Sequence, residues 1–111
     1  MPDTDLDLIS ADLAAQSLSR QEIVLPYPAV LSAIAELERR GIQLLGWEGW
    51  LAYPDGSRGH SGEQGTTDLS ALSVEAAARV CAQTIEASYA EGKVPGSSPT
   101  GVRYYCLVPA A

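Results

Sequence analysis

Apolar positions along this chain change their spacing several times, and each change marks the boundary of an element. In the first stretch Leu6, Ile9 and Leu13 stand three and four apart, with Asp7 and Asp12 between them. That spacing predicts a helix over 5–17, its early acidic residues lying at the positive end of the backbone dipole. Ile23, Val24 and Leu25 follow and run into Pro26-Tyr27-Pro28. A residue before proline is held out of helical geometry, so a boundary falls here, and 19–27 reads as an extended connector or a short edge strand. Helical spacing returns with Val30, Ile34 and Leu37, beside Ala33. Pro28 suits the first turn of this second helix, Arg39 and Arg40 its last turn, and Gly41 the left-handed cap that ends it.

From Ile42 the period shortens. The run IQLLGWEGWLAY alternates imperfectly, which predicts one strand over 42–45 and another over 50–53, with Gly46 and Gly49 marking a bulge or a close backbone approach. Pro54-Asp55-Gly56 predicts a chain reversal, and 58–60 a short returning strand. Residues 56–70 hold four glycines and almost nothing apolar, so they read as a long loop, either functional or disordered. This is not a phosphate loop, because the Lys-Ser/Thr ending is absent and Glu63 and Asp68 oppose an anion. Ser73 is a good N-cap for a third helix, with Glu75 in its first turn and a stripe of Val74, Ala77, Ala78, Cys81 and Ile85. A second glycine-rich loop spans 92–101. The bulky run over 102–108 is a strand, with Tyr104, Cys106 and Val108 on one side and Arg103, Tyr105 and Leu107 on the other. Leu51 and Leu107, on otherwise half-exposed sides, leave room for a second buried patch. The fold class is α+β: a small, mostly antiparallel sheet of three to four strands packed against two to three helices. Residues 1–111 form a single domain, of which 1–21 are the N-terminal helix and connector.

Charge narrows the partners. Fourteen acidic side chains against seven basic ones leave a net charge of −7. Such a surface repels phosphate backbones, so nucleic acid is not an expected partner, whereas a basic protein is attracted. Solubility alone accounts for the same charge. The opening MPDTDLDL is acidic where a secretory leader is basic, and no apolar run reaches spanning length. The expectation is a cytoplasmic protein without membrane association. Cys81 and Cys106 each sit in an apolar pattern and read as buried thiols of a reducing compartment.

Candidate chemistry is thin. His60 is the only histidine, and zinc wants three or four good ligands, so no metal and no cofactor are expected. Asp55, Glu63 and Asp68 lack the spacing of a calcium loop. A triad of Ser61, His60 and Asp55 exists only on paper, since neighbouring residues rarely point together and no nucleophile elbow is present. His60 reads more simply as a turn residue bonded to backbone.

The most informative segment is Gly46-Trp47-Glu48-Gly49-Trp50. Two indoles three apart cannot share one side of a regular strand. Trp47 therefore has two readings: an exposed anchor of a protein interface, with Glu48 supplying a charge-assisted contact to Arg or Lys, or a core ring with the glycines making room. Trp50 reads as buried. Glu48 reads as exposed, and if buried it needs a partner such as Arg58 or His60.

The pattern LPYPAVLSAIAELERRGIQLLGWEGWLAYPDGSRGHS, then Gln64-Gly65-Thr66, an alanine-rich helix and the closing RYYCLV, resembles a family of bacterial polymorphic-toxin immunity proteins. The resemblance spans 22–108. Its most specific part is 46–50, followed by Tyr53, Asp55-Gly56 and Gly59-His60-Ser61. It implies a small α+β protein that is not an enzyme and that neutralises a cognate toxin stoichiometrically by covering it. The candidate partner-binding set is Trp47, Glu48, Trp50, Asp55, His60, Glu63 and Asp68. An acidic surface suits a basic toxin, because complementary fields speed encounter. Three alternatives stand beside this reading. One is a pocket for a small molecule walled by Trp47, Trp50 and Tyr53. Another is a structural subunit forming a homo-oligomer through Tyr105 and Leu107. The third is a small enzyme using His60 with Glu48, Glu63 or Asp68.

Overall fold

In the computed structural model the described residues are 4–64, 68–91 and 102–110, and over 60–64 the description covers the backbone alone. Four strands, β1 (Ile23–Leu25), β2 (Leu44–Ala52), β3 (Arg58–Gln64) and β4 (Val102–Pro109), form one sheet in the order β1-β4-β2-β3. Every pairing is antiparallel. A 3-10 turn (Asp5–Leu8) and three helices, α1 (Ala11–Ala14), α2 (Ala29–Arg39) and α3 (Val74–Glu91), complete the described chain. The fold is α+β, with one continuous core between α2, α3 and a single face of the sheet. Val30, Ala33, Ile34 and Leu37 enter it from α2, Ala77, Ala78, Cys81 and Ile85 from α3. Ile23, Leu25, Leu44, Trp47, Tyr105 and Leu107 enter it from the strands.

The end of α2 follows its sequence cues. Gly41 takes the left-handed φ of 71° that the helix stop requires. Gly41 N–H then donates to the Glu38 carbonyl and Ile42 N–H to the Leu37 carbonyl, at 3.0 and 2.9 Å. Those two bonds satisfy carbonyls that the helix leaves open. At the start of α3 the Ser73 hydroxyl accepts the Ala76 amide at 3.1 Å.

The two strands expected over 42–45 and 50–53 are one. β2 runs through both glycines, and its irregularity lies earlier: Leu44 stands opposite Pro109 but Gly46 stands opposite Val108, so Leu45 is an extra residue. Because side chains alternate with period two, one extra residue moves the alternation to the other face. Leu44 and Trp47, three apart, consequently both enter the core. The Leu45 carbonyl accepts Leu69 N–H at 2.9 Å, and Gln43 Nε2 donates to the Leu69 carbonyl at 3.0 Å. These bonds hold buried Leu69 against the bulge.

The returning strand expected over 58–60 continues to Gln64, within the stretch expected to be loop. An edge strand needs ladder bonds more than apolar side chains, and the length of β2 supplies them. The ladder is irregular: Glu48 pairs with Gln64 and Trp50 with His60, so residues 61–63 lie against Gly49 alone. Residues 65–67 and the second glycine-rich loop, 92–101, fall outside the described residues.

The helix expected over 5–17 is two short pieces. Ile9 is extended between them (φ −125°, ψ 168°), and two contacts from α2 explain the break. Ser10 N–H donates to Glu36 Oε1 at 2.7 Å, and Arg40 Nη1 donates to the Leu8 carbonyl at 2.9 Å. Those long-range bonds, with burial of Ile9 and Leu13, replace the local bonds of a continuous helix.

Beyond the outer edge of β1, Ser17 acts as a clamp. Its hydroxyl donates to the Glu22 carbonyl at 2.8 Å and accepts Val24 N–H at 3.0 Å, while Leu18 N–H donates to the Val24 carbonyl at 2.9 Å. Ser17→Ala leaves the buried Val24 amide without its acceptor and is expected to cost roughly 1–3 kcal/mol. Urea denaturation measures this, and an unchanged midpoint contradicts the clamp.

Candidate functional site

The sheet has a second face. The register places Glu48, Trp50 and Ala52 of β2 across from Cys106, Tyr104 and Val102 of β4, all on the side opposite Trp47 and Tyr105. Val24 of β1 pairs with Cys106 and shares that side. Val24 and Cys106 are fully buried, whereas Glu48, Trp50, Tyr104 and Val108 are half-buried and Glu22, just before β1, is exposed. Trp50, expected in the core, thus stands on this face beside Tyr104.

Trp47 goes the other way. It is 3% exposed, its ring meets Tyr105 edge-on at 5.4 Å, and its Nε1 donates to Thr84 Oγ1 at 2.8 Å. The Thr84 hydroxyl donates in turn to the Val80 carbonyl at 2.7 Å. The indole N–H is therefore satisfied inside the core, and the ring offers no anchor at the surface. Of the two readings of Trp47 the structure selects the core ring. It also separates Trp47 from Trp50 by the thickness of the sheet, so the two do not wall one pocket with Tyr53.

Around Cys106 the electrostatics are one-sided. Its thiol donates to Glu22 Oε2 at 3.7 Å, and Glu48 is its direct cross-strand neighbour. Burial pushes the Cys106 thiol up to about 12, and the charges of Glu22, Glu48 and Asp5, with the hydrogen bond to Glu22, act in the same direction. Asp5 is itself raised, by burial first and by the Glu22 charge second. Three carboxylates from three parts of the chain thus act on one buried sulfur. A thiol kept protonated in this way is a poor nucleophile at neutral pH, because the thiolate is the reactive form. Cys81, under α3, is pushed up to about 11 by burial. Both cysteines are free and buried, as their apolar surroundings implied.

The other residues singled out in the sequence are dispersed. Asp55 is exposed at the β2–β3 turn, where its Oδ1 accepts the Ser57 hydroxyl at 2.6 Å and the Ser57 amide at 2.9 Å. Those bonds hold its carboxyl below the usual range, the hydroxyl contributing most. Asp68 is exposed too, is lowered by hydrogen bonds from Ser70, and accepts the Ser70 amide at 2.9 Å. Each carboxylate shapes a local turn. His60 lies opposite Trp50 in the ladder, while the side chains of His60 and Glu63 are outside the described set. Of the seven candidates, the structure brings Glu48 and Trp50 together. Sequence reasoning missed Glu22, Tyr104, Cys106 and Asp5 as their companions. The shared side of Tyr104 and Cys106 was legible, but not that β4 lies between β1 and β2.

Tyr105 and Leu107 are 0% and 1% exposed against the helices, which removes them as a self-association surface. At the far end of the same strand Arg103 Nη2 donates to the Ser88 hydroxyl and carbonyl at 2.6 and 3.0 Å. Its guanidinium lies 5.7 Å from the Tyr105 ring centre and 6.0 Å from that of Tyr89, which stacks on Tyr27. This cation–aromatic cluster ties β4 to the end of α3. Among the described residues no group of three or more His, Cys, Asp or Glu side chains is arranged to hold a metal ion, and no helix is long and apolar enough to cross a membrane.

The thiols set a testable alkaline limit. Both fold with a pKa above the unfolded value, so folding favours their protonated forms. Their stabilising contribution is complete below the ordinary thiol value of 9.0 and declines as pH rises from there towards about 11 for Cys81 and about 12 for Cys106. Native protein is therefore expected to resist thiol alkylation at pH 8 and to react at both cysteines in denaturant, with stability falling above pH 9. Rapid alkylation of folded protein at pH 8 contradicts this placement.

Compared with family models, curated proteins and solved structures, the chain matches none.

Proposed function

We propose that this chain is an immunity protein, which binds a cognate bacterial toxin in the cytoplasm of the producing cell and neutralises it stoichiometrically rather than by catalysis. The observation that carries this reading is the unequal pair of sheet faces. One is filled by α2 and α3, and the other sets half-buried Trp50 and Tyr104 opposite each other beside Glu48 and exposed Glu22. Paired aromatic rings on a rigid sheet offer contact area at little cost in conformational entropy, and adjacent carboxylates add charge-assisted contacts. The thiol on that face is held protonated by burial and carboxylates, which suits a binding surface better than a reactive centre. The resemblance over 22–108 supports the same reading, with one change of emphasis: Trp47 lies in the core behind the sheet, and half-buried Trp50 takes the role of the ring on the binding face.

The test is to express the product of the neighbouring gene in bacteria with and without this chain. The expected outcome is growth arrest relieved by co-expression, with the two proteins co-purifying in equimolar amounts. Trp50→Ala with Tyr104→Ala should weaken that complex by at least about tenfold while the domain stays folded. Arrest that persists despite abundant folded chain overturns the proposal.

A further inference from the structure

We propose that Tyr27 and Tyr89 form an oxidative modification site, where a one-electron oxidant of the peroxide–peroxidase class joins the two rings as dityrosine and staples the β1–α2 connector to the end of α3. The site lies on the helix side of the sheet and does not depend on the binding face or on a toxin. Tyr27 stands in that connector, where Pro26 and Pro28 on either side restrict the backbone. Tyr89 belongs to the last turns of α3. The two are distant in sequence, yet their rings stack with centres 4.0 Å apart and planes within 14° of parallel. Tyr27 is half-buried against the core, whereas Tyr89 is 47% exposed, so one ring of the pair is open to an oxidant. Arg103, bonded to Ser88, sets its guanidinium 6.0 Å from the Tyr89 ring centre and ties this end of α3 to the sheet.

Contact of this kind is what radical coupling needs. Loss of one electron and the phenolic proton from each ring gives two phenoxyl radicals, whose unpaired spin is shared between the oxygen and the ortho and para carbons. A near-parallel stack brings the two rings together face to face, and a carbon–carbon bond forms between one ortho carbon of each. The hydrogens on those carbons then move to the phenolic oxygens, which restores both aromatic rings. Two electrons and two protons have left the pair, and one peroxide takes them up to become two waters. Holding the partners in contact turns an encounter between chains into a step within one chain, which is far faster. The other tyrosines are placed differently. Tyr105 is fully buried, Tyr104 is on the opposite face of the sheet, and Tyr53 is at the β2–β3 turn. A covalent link across so long a span restricts the unfolded chain, and thereby favours the folded one.

The test exposes the dilute, intact protein to a haem peroxidase and an equivalent of hydrogen peroxide. The expected product carries the blue fluorescence of dityrosine, stays a single chain and is lighter by two hydrogen atoms, with peptide mapping joining Tyr27 to Tyr89. Tyr27→Phe and Tyr89→Phe, which keep both rings, should each lower the yield of that product by at least about tenfold. Tyr53→Phe with Tyr104→Phe should leave it nearly unchanged. Unfolding in urea before oxidation should lower the yield as the single variants do, because the contact is then lost. The cross-linked chain should also unfold at higher urea than the untreated one. Mapping of the wild type decides the matter whatever the variants do to folding. Absence of dityrosine, a bond between other residues, coupling only between chains, or an equal yield from unfolded protein overturns the proposal. A mapped Tyr27–Tyr89 bond that leaves the urea midpoint unchanged overturns its role as a staple.

Discussion

One extra residue decides which side of this sheet is core and which is surface. At Leu45 the β2–β4 register slips by a single position, and every side chain beyond it is assigned to a face by that slip. It sends Leu44 and Trp47 together towards the helices and leaves Glu48 and Trp50 on the opposite side. Removing the slip would force Leu44 out of the core or carry Trp47 out with it. The slip is held from outside the sheet, since the Leu45 carbonyl and the Gln43 side chain both bind the backbone of Leu69. A connection between β3 and α3 thereby fixes the geometry of the strand that carries the candidate site.

Behind that strand the core is satisfied as well as filled. The Trp47 indole finds a hydroxyl on α3, and that hydroxyl finds a carbonyl one turn earlier on the same helix. Arg103 makes a second link between the sheet and α3 through Ser88. Such links restrict sliding of helix against sheet and hold the strands in one arrangement. The face turned from the helices is different in kind. Its centre is a buried thiol and its margin is acidic, so it combines rigidity with like charges brought close together.

Much of the architecture was legible because its causes are local. The α2 stop is written in Arg39, Arg40 and Gly41, the α3 stripe in its spacing from Ala77 to Ile85, and the β2–β3 reversal in Pro54-Asp55-Gly56. What was not legible depended on residues distant in sequence. The first helix divides because Glu36 and Arg40 take bonds that a continuous helix would have kept for itself. β3 extends past His60 because β2 is long enough to pair with it, although its own residues carry no apolar pattern. Two tryptophans three apart announced that they could not share a face. Which one went inside required the bulge, and the bulge required Leu69. Glu22 could not be grouped with Glu48 until β4 was known to lie between their strands.

The central claim is that the partner occupies the face turned away from the helices. Hydroxyl-radical footprinting of the chain alone and in complex with the toxin proposed as its partner tests this most directly, because the aromatic residues of the two regions are separate. The account predicts protection of Trp50 and Tyr104 on complex formation, with Tyr89 on α3, 47% exposed in the free chain, oxidised as before. Protection of Tyr89 with Trp50 and Tyr104 unchanged would contradict it.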